Sequence, residues 1–309
     1  MTVTVRDFRP EDADGWEAVR RAALPFLVSV PGQWAHDLAT SPPERHLRLL
    51  VAEDRGEVIG TAQVGICHDS ARPGQGFCNV YTHPDRLGRG SGSGLVRVAE
   101  AHLAGLGAVE ILSWVLDDPV SRAFARVRGY APSRSAHFLS LDLATERLPP
   151  RRELPPGVEL RSAEDFADDP RALFALDAEV TADEPGDVPS LLTDYEHWLA
   201  STWHHPVVDR SLTSVVLVDG EPAAFSLATT DGATRYASGM TGTGRAHRGR
   251  GLAKIAKNDS LHRAKDAGFT MAYTGNDAGN GPMLAINAWF GYQTCATEVR
   301  HVRTLGITR

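Results

Sequence analysis

Hydrophobic positions in this chain switch between a two-residue and a near four-residue period, and the order of the switches occurs twice. Residues 3–24 read as a short strand followed by an amphipathic helix, and residues 158–180 read the same way. A hairpin-like pair of apolar runs comes next in each half. In the first, Leu49-Leu50-Val51-Ala52-Glu53 returns through Arg55-Gly56-Glu57 to Val58-Ile59-Gly60. In the second, Ser214-Val215-Val216-Leu217-Val218 returns through Asp219-Gly220 to Pro222-Ala223-Ala224-Phe225, and Asp-Gly is a strong hairpin signal.

Each half then presents a strand (77–82; 236–243), a Gly-rich turn (88–92; 249–253) and a long helix (95–106; 255–267). Another strand follows (109–115; 270–273), then a helix closed by Gly129-Tyr130 or Gly291-Tyr292, where glycine accepts the left-handed conformation that ends a helix. In the second long helix Ile255, Leu261 and Ala264 mark the inward face, which places the Lys and Asp residues outward. Strands alternating with helices predict an α/β (α+β) fold, each half a mixed central sheet flanked by helices. The repeat unit of about 150 residues is a domain duplication, too long for a solenoid.

The pattern breaks at Leu148-Pro149-Pro150-Arg151-Arg152-Glu153-Leu154-Pro155-Pro156-Gly157. Proline pairs neither continue a helix nor enter a sheet, so this stretch reads as a stiff linker. The expected organisation is an N-terminal domain at 1–148, a linker at 149–157 and a C-terminal domain at 158–309. With 309 residues, each domain is large enough to bury a core. The 42% hydrophobic and 23% charged content is that of a globular protein, and the net charge of −7 argues against a nucleic-acid partner. Cys67, Cys78 and Cys295 lack metal-type spacing, so no metal is expected, and they read as thiols in a reducing compartment. Without an apolar run long enough to span a bilayer or a signal-peptide pattern, no membrane association is expected and a cytoplasmic location is.

The chemistry concentrates in the turn Arg248-Gly249-Arg250-Gly251-Leu252-Ala253. A glycine-rich turn opening a helix leaves backbone N–H groups converging on one point, and the helix dipole adds positive potential there. Gly249 and Gly251 keep side chains away from a pyrophosphate, and Arg248 and Arg250 add charge. Gly88, Gly90 and Gly92 repeat the glycine spacing in the first half.

The order of elements, and this turn read as [Gln/Arg]-x-x-Gly-x-[Gly/Ala], resembles the GNAT superfamily of acetyl-CoA-dependent N-acetyltransferases. Thr274-Gly275-Asn276 and Asn280-Gly281-Pro282-Met283-Leu284-Ala285-Ile286-Asn287, closing in Phe290-Gly291-Tyr292, look like the family's last core strand and helix. The first half is similar in layout, with His83-Pro84-Asp85 before its turn, but Leu87 stands where Arg or Gln is expected and Asp118 where the second half has Asn280. Together the halves resemble a tandem GNAT protein, an arrangement shared with mycothiol synthase and other two-domain actinobacterial acetyltransferases.

The resemblance implies acetyl-CoA as co-substrate and a primary amine on a small molecule as acceptor. It assigns the pyrophosphate to the amides of Arg248, Gly249, Arg250, Gly251, Leu252 and Ala253, and the pantetheine and thioester to Met240, Thr241, Gly242 and Thr243. It adds Asn276 and Asn280 on the pantetheine side, although Asn is equally at home as a helix cap. Gly88, Gly90 and Gly92 imply some anion binding in an N-terminal domain otherwise expected to be degenerate in catalysis.

Family members often use a Tyr on the last helix as general acid. Here that place is held by Asn287 in the second half and by Ala125 in the first. Asn287 either donates a hydrogen bond to the departing sulfur or satisfies the helix–sheet junction. The missing Tyr keeps open a non-catalytic CoA-binding or sensor module, and the same fold leaves open an acyltransferase that uses another acyl-CoA. For the base, Asp183, Glu184 and Asp187 lie in a loop that this fold uses for substrate, and are also what a solvated acidic loop looks like. His204-His205 reads as a turn element, His83 as structural beside Tyr81, and Met283, Trp289 and Phe290 as core.

Overall fold

A computed structural model describes residues 3–70, 72–151, 153–185 and 191–305. The first half runs β1 (Thr4–Asp7), α1 (Ala13–Ala23), α2 (Gln33–Thr40), β2 (Arg48–Asp54), β3 (Glu57–Ile66), β4 (Gln75–Thr82), α3 (Ser91–Gly105), β5 (Glu110–Leu116), α4 (Pro119–Arg126) and β6 (Ala131–Asp142). The second runs β7 (Val158–Ser162), α5 (Arg171–Ala182), α6 (Tyr195–Trp198), β8 (Ser214–Val218), β9 (Glu221–Thr230), β10 (Arg235–Thr243), α7 (Leu252–Asp266), β11 (Met271–Asp277), α8 (Gly281–Phe290) and β12 (Gln293–Thr304). The α/β expectation and the duplicated order are both found.

The two compact units are not two consecutive lengths of chain. One comprises Met1–Leu27, Asp37–Ala136 and Ala296–Arg309; the other comprises Val28–His36 and His137–Cys295. In the first unit the strands neighbour in the order β1-β2-β3-β4-β5-β12. There β12 runs antiparallel to β5, from Glu298 opposite Leu116 to Thr304 opposite Glu110. In the second the order is β7-β8-β9-β10-β11-β6. The last strand of each half therefore completes the sheet of the other half.

The core of the first unit lies where Leu50, Ala52, Ala62, Val64 and Ile111 meet Leu95, Ala99 and Leu103 of α3. In the second unit β8 is buried on both faces, which explains its unbroken apolar run. Val215 and Leu217 pack towards Leu176 and Val180 of α5, while Val216 and Val218 pack towards Leu252 and Ala256 of α7. All three cysteines are free. No helix among the described residues is long and apolar enough to cross a membrane.

Candidate functional site

In the second unit, β10 and β11 pair in parallel from Arg235 opposite Met271 to Ser238 opposite Thr274, and the paired register ends there. At the same level the register of β10 against β9 shifts between Ser238 and Thr241, a bulge that turns the strand away from its parallel neighbour. Beyond it the facing strand edges line a cavity of about 440 Å³. Met240, Thr241, Gly242, Thr243, Arg248, Ala253, Asn276 and Asn280, all selected from sequence, line this one space. Backbone groups along a splayed strand edge are unpaired donors and acceptors, suited to an extended amide-containing chain.

The turn closes one end of the slot. Gly249 and Gly251 both take φ of +76°, and Gly251 is the N-cap residue of α7. With no capping side chain, the first-turn amides of α7 are left for an anion. The side chains or neighbours of three of these residues do further work. Leu252 sends its side chain into the core and contributes only backbone. Arg250 meets His247 at 3.2 Å and lines a separate cavity of about 460 Å³ with Arg151, Lys254 and Trp289. Gly242 is where α5 crosses β10, because a Cβ there would sit 2.1 Å from Cγ1 of Val180. Gly242→Ala should therefore destabilise the protein by about 1–3 kcal/mol through overpacking, seen as a lowered thermal midpoint. An unchanged midpoint would mean that α5 is free to shift.

Behind the slot lies a polar chain. Lys257 of α7 is fully buried and donates from Nζ to Oδ1 of Asn287 at 2.6 Å. Asn287, also fully buried, donates from Nδ2 to Oδ1 of Asn276 at 2.5 Å. The sequence placed the lysines of this helix outward; Lys257 is instead inward and lines the slot, its ammonium 5.1 Å from the Tyr292 ring centre. Among the described residues no carboxylate pairs with it. Burial alone pushes its pKa down to about 7, because an ammonium loses its hydration there without a counter-charge. A group that gains and loses a proton near neutrality thus sits behind the position where the family places its acid. The signal was present in the sequence: Lys257 falls at helical spacing from Ala253, Leu261 and Ala264, on the apolar stripe.

At the mouth, Asp183 accepts from Arg245 at 2.7 Å and 2.8 Å and from Arg248 at 2.5 Å. Those guanidinium groups hold its carboxyl well below the usual carboxylate range, so Asp183 is an anchor and not a base. Glu184 lines the slot, and Asp187 lies outside the described residues. Asn280 caps α8, accepting at Oδ1 from the amide of Met283 at 3.3 Å. His204 and His205 form a turn, with Nδ1 of His205 accepting from Val207 at 3.3 Å. Met283 lines the slot and Phe290 is buried, whereas Trp289 is 39% exposed and so is not core.

The first unit repeats the arrangement with differences. β4 and β5 pair in parallel only from Gln75 opposite Glu110 to Phe77 opposite Leu112, then separate around a cavity of about 450 Å³. Gly88, Gly90 and Gly92 line it, with φ of +76° at Gly88 and +90° at Gly90. Gly92 also permits close packing, since a Cβ would lie 3.1 Å from Cζ of Phe124. Leu87, at the Arg248 position, is 54% exposed. His83 accepts at Nδ1 from the amide of Asp85 at 3.2 Å, a structural role. Asp118 caps α4 as Asn280 caps α8. Sequence reading passed over one pair here: Tyr81 donates from its hydroxyl to Oε1 of Glu298 at 3.3 Å.

Residues 15–130 match the model of the acetyltransferase (GNAT) family. The match falls on the half whose turn departs from the family motif at Leu87. A mycothiol acetyltransferase of Nocardioides sp. is 26% identical over 238 residues, 73% of this chain and 79% of that one. One of Frankia casuarinae is 32% identical over 185 residues, 59% of this chain and 49% of that one. Among solved structures, a tandem GNAT protein from the clavulanic acid biosynthesis pathway superposes with a TM-score of 0.77 at 20% identity, covering 100% of both chains. A GCN5-related N-acetyltransferase from Sphaerobacter thermophilus gives 0.71 at 20% identity, covering 99% of this chain and 97% of that one. Residues 15–130 thus match the acetyltransferase (GNAT) family model, and the fold of the chain over its whole length is similar to that of the tandem GNAT protein.

Proposed function

We propose that the chain transfers the acetyl group of acetyl-CoA to a primary amine on a small molecule, by direct attack on the thioester in the C-terminal domain. The observation that carries this reading is the slot between β10 and β11, closed at one end by an anion-binding turn and backed by the Lys257–Asn287–Asn276 chain. The slot suits the pantetheine arm and the first turn of α7 suits the pyrophosphate. Arg151, Arg250 and Lys254 beside Trp289 suit the nucleotide end. Relatives named mycothiol acetyltransferases favour a small-molecule acceptor over a protein one.

In this reading the amine must arrive neutral, so that its lone pair attacks the thioester carbonyl carbon and the C–S bond breaks. Protonated Lys257 supplies positive charge to the departing sulfur through the amide of Asn287, which takes over the task of the absent Tyr. The second nitrogen proton passes to the departing sulfur, and Lys257, whose pKa is pushed down to about 7, keeps its charge without giving up a proton in the step below that pH.

Thiol release from acetyl-CoA, propionyl-CoA and succinyl-CoA against a panel of small primary amines tests the proposal. Turnover should be fastest with the acetyl donor and at least one amine. CoA binding without turnover on any amine would leave a binding module instead, and a preference for a longer acyl chain would replace the donor.

A further inference from the structure

We propose that the first unit is a second, independent acyl-transfer site, in which Tyr81 and Glu298 form a proton relay for the acceptor amine. The donor, acetyl-CoA, is taken over from the function proposed above; the relay itself is independent of the C-terminal slot.

The unit has the parts such a site needs. Its own strands separate past Phe77 and Leu112, its own glycine turn opens α3, and the cavity between them is as large as its C-terminal counterpart. Tyr81 forms part of the cavity wall, and its hydroxyl donates to a carboxylate only 6% exposed. Glu298 comes from β12, so the site is complete only when the end of the chain has paired with β5.

Burying a carboxylate is costly unless it is paired, and among the described residues Glu298 has no salt bridge, only the single bond from Tyr81. Opposite Tyr81 in the sheet register, Thr61 has a buried hydroxyl without a partner. Of these groups Tyr81 lines the cavity, so a proton taken up at its hydroxyl can pass to the buried carboxylate behind it. The charged and titratable groups acting on Glu298 are Tyr81 of β4, Arg20 of α1 and Arg300 on its own strand. Arg20 lies 5.5 Å from the Tyr81 ring centre, and Arg300 and Arg134 of β6 lie over the Trp114 ring at 4.2 Å and 5.4 Å. The arginines and the Tyr81 bond favour the carboxylate, but burial outweighs them and Glu298 is pushed up to about 7. Burial and Glu298 both raise the Tyr81 pKa, so the phenol keeps its proton until it can exchange it.

The relay balances. The ammonium of the acceptor gives one proton to the Tyr81 oxygen as Tyr81 passes its own to Glu298. The neutral nitrogen attacks the thioester carbonyl carbon and forms the C–N bond. The C–S bond breaks with its electron pair on sulfur, the second nitrogen proton ends on that sulfur, and Glu298 releases its proton to solvent.

Gly249→Asp in the full chain removes the C-terminal site and isolates this one. Calorimetry should then find one acetyl-CoA bound per chain, lost on adding Gly88→Asp. Thiol release with the amine panel should persist and rise with pH through about 7, where Glu298 becomes a carboxylate. Adding Glu298→Gln or Tyr81→Phe should each lower that turnover about 100-fold with acetyl-CoA still bound. Gln and Phe keep the shapes, so the retained binding also reports the fold. One acetyl-CoA bound without turnover in Gly249→Asp, or turnover indifferent to both relay substitutions, would overturn the proposal. Absence of binding in Gly249→Asp would overturn it too. Loss of C-terminal activity in an otherwise unaltered chain would instead count against the function proposed above and leave this one standing.

Discussion

Replacing Lys257 by Met should lower the turnover of the C-terminal site by about 100-fold or more while leaving acetyl-CoA affinity within a few-fold, as expected for a group that acts in the chemical step. Of the hydrogen-bonded Lys257, Asn287 and Asn276, only Lys257 is ionisable, and Met keeps its length without its charge. The same substitution carries a stability signature. The folded pKa is about 7 against 10.5 for an ordinary lysine, so between those values the unfolded chain binds the additional proton. Stability of the parent protein should therefore rise from pH 7 to 10, by at most about 1.4 kcal/mol per pH unit from this group. Below pH 7 both states are protonated and this slope vanishes. The Met variant lacks the rise, so urea midpoints at pH 6.5 and 9.5 should converge on the alkaline side and separate on the neutral side, with the variant more stable there. Equal slopes for the two proteins would show that Lys257 is not a buried free amine, and unchanged turnover would remove it from the mechanism.

How much of this was readable in the chain depends on distance along it. β8 and β9, the turn at Gly249 and Gly251, and the end of α8 at Gly291 were legible because each rests on neighbours within a few residues. The slot lining was legible only through resemblance, since no local pattern states that β10 and β11 separate after Ser238 and Thr274. Lys257 was misplaced because charged residues on a helix usually face water, and the apolar stripe through it was too sparse to overrule that prior. Glu298 had no local signal at all. Its significance comes from β12 pairing with β5, a contact between distant parts of the sequence that sets Glu298 opposite Leu116, and β12 itself shows no alternation that marks position 298 as inward. The exchange of last strands is invisible for the same reason: each strand would pair equally well with its own half as far as its pattern goes.

Gly249→Asp should abolish high-affinity acetyl-CoA binding at the C-terminal site, weakening it by at least about 100-fold, the order expected when a charge-assisted pyrophosphate contact becomes a repulsive one. The fold should survive. Gly249 has φ of +76°, a conformation that Asp tolerates better than most residues, and a Cβ there meets no heavy atom within 4 Å. The defect thus arises only when the anion arrives. Gly249→Asn separates the two causes, because it has nearly the same size and backbone tolerance without the charge. If repulsion dominates, Asn should lose far less affinity than Asp and the difference should shrink at high salt. If blocked approach of the backbone dominates, both should fail alike at any ionic strength. Calorimetry of the full chain reads this as a change in the number of strong sites as well as in affinity. Two sites falling to one would assign the lost site to this turn and the remaining one to the turn at Gly88 and Gly90. Unchanged affinity and number in Gly249→Asp would detach the pyrophosphate from the start of α7, and with it the reading of the slot between β10 and β11.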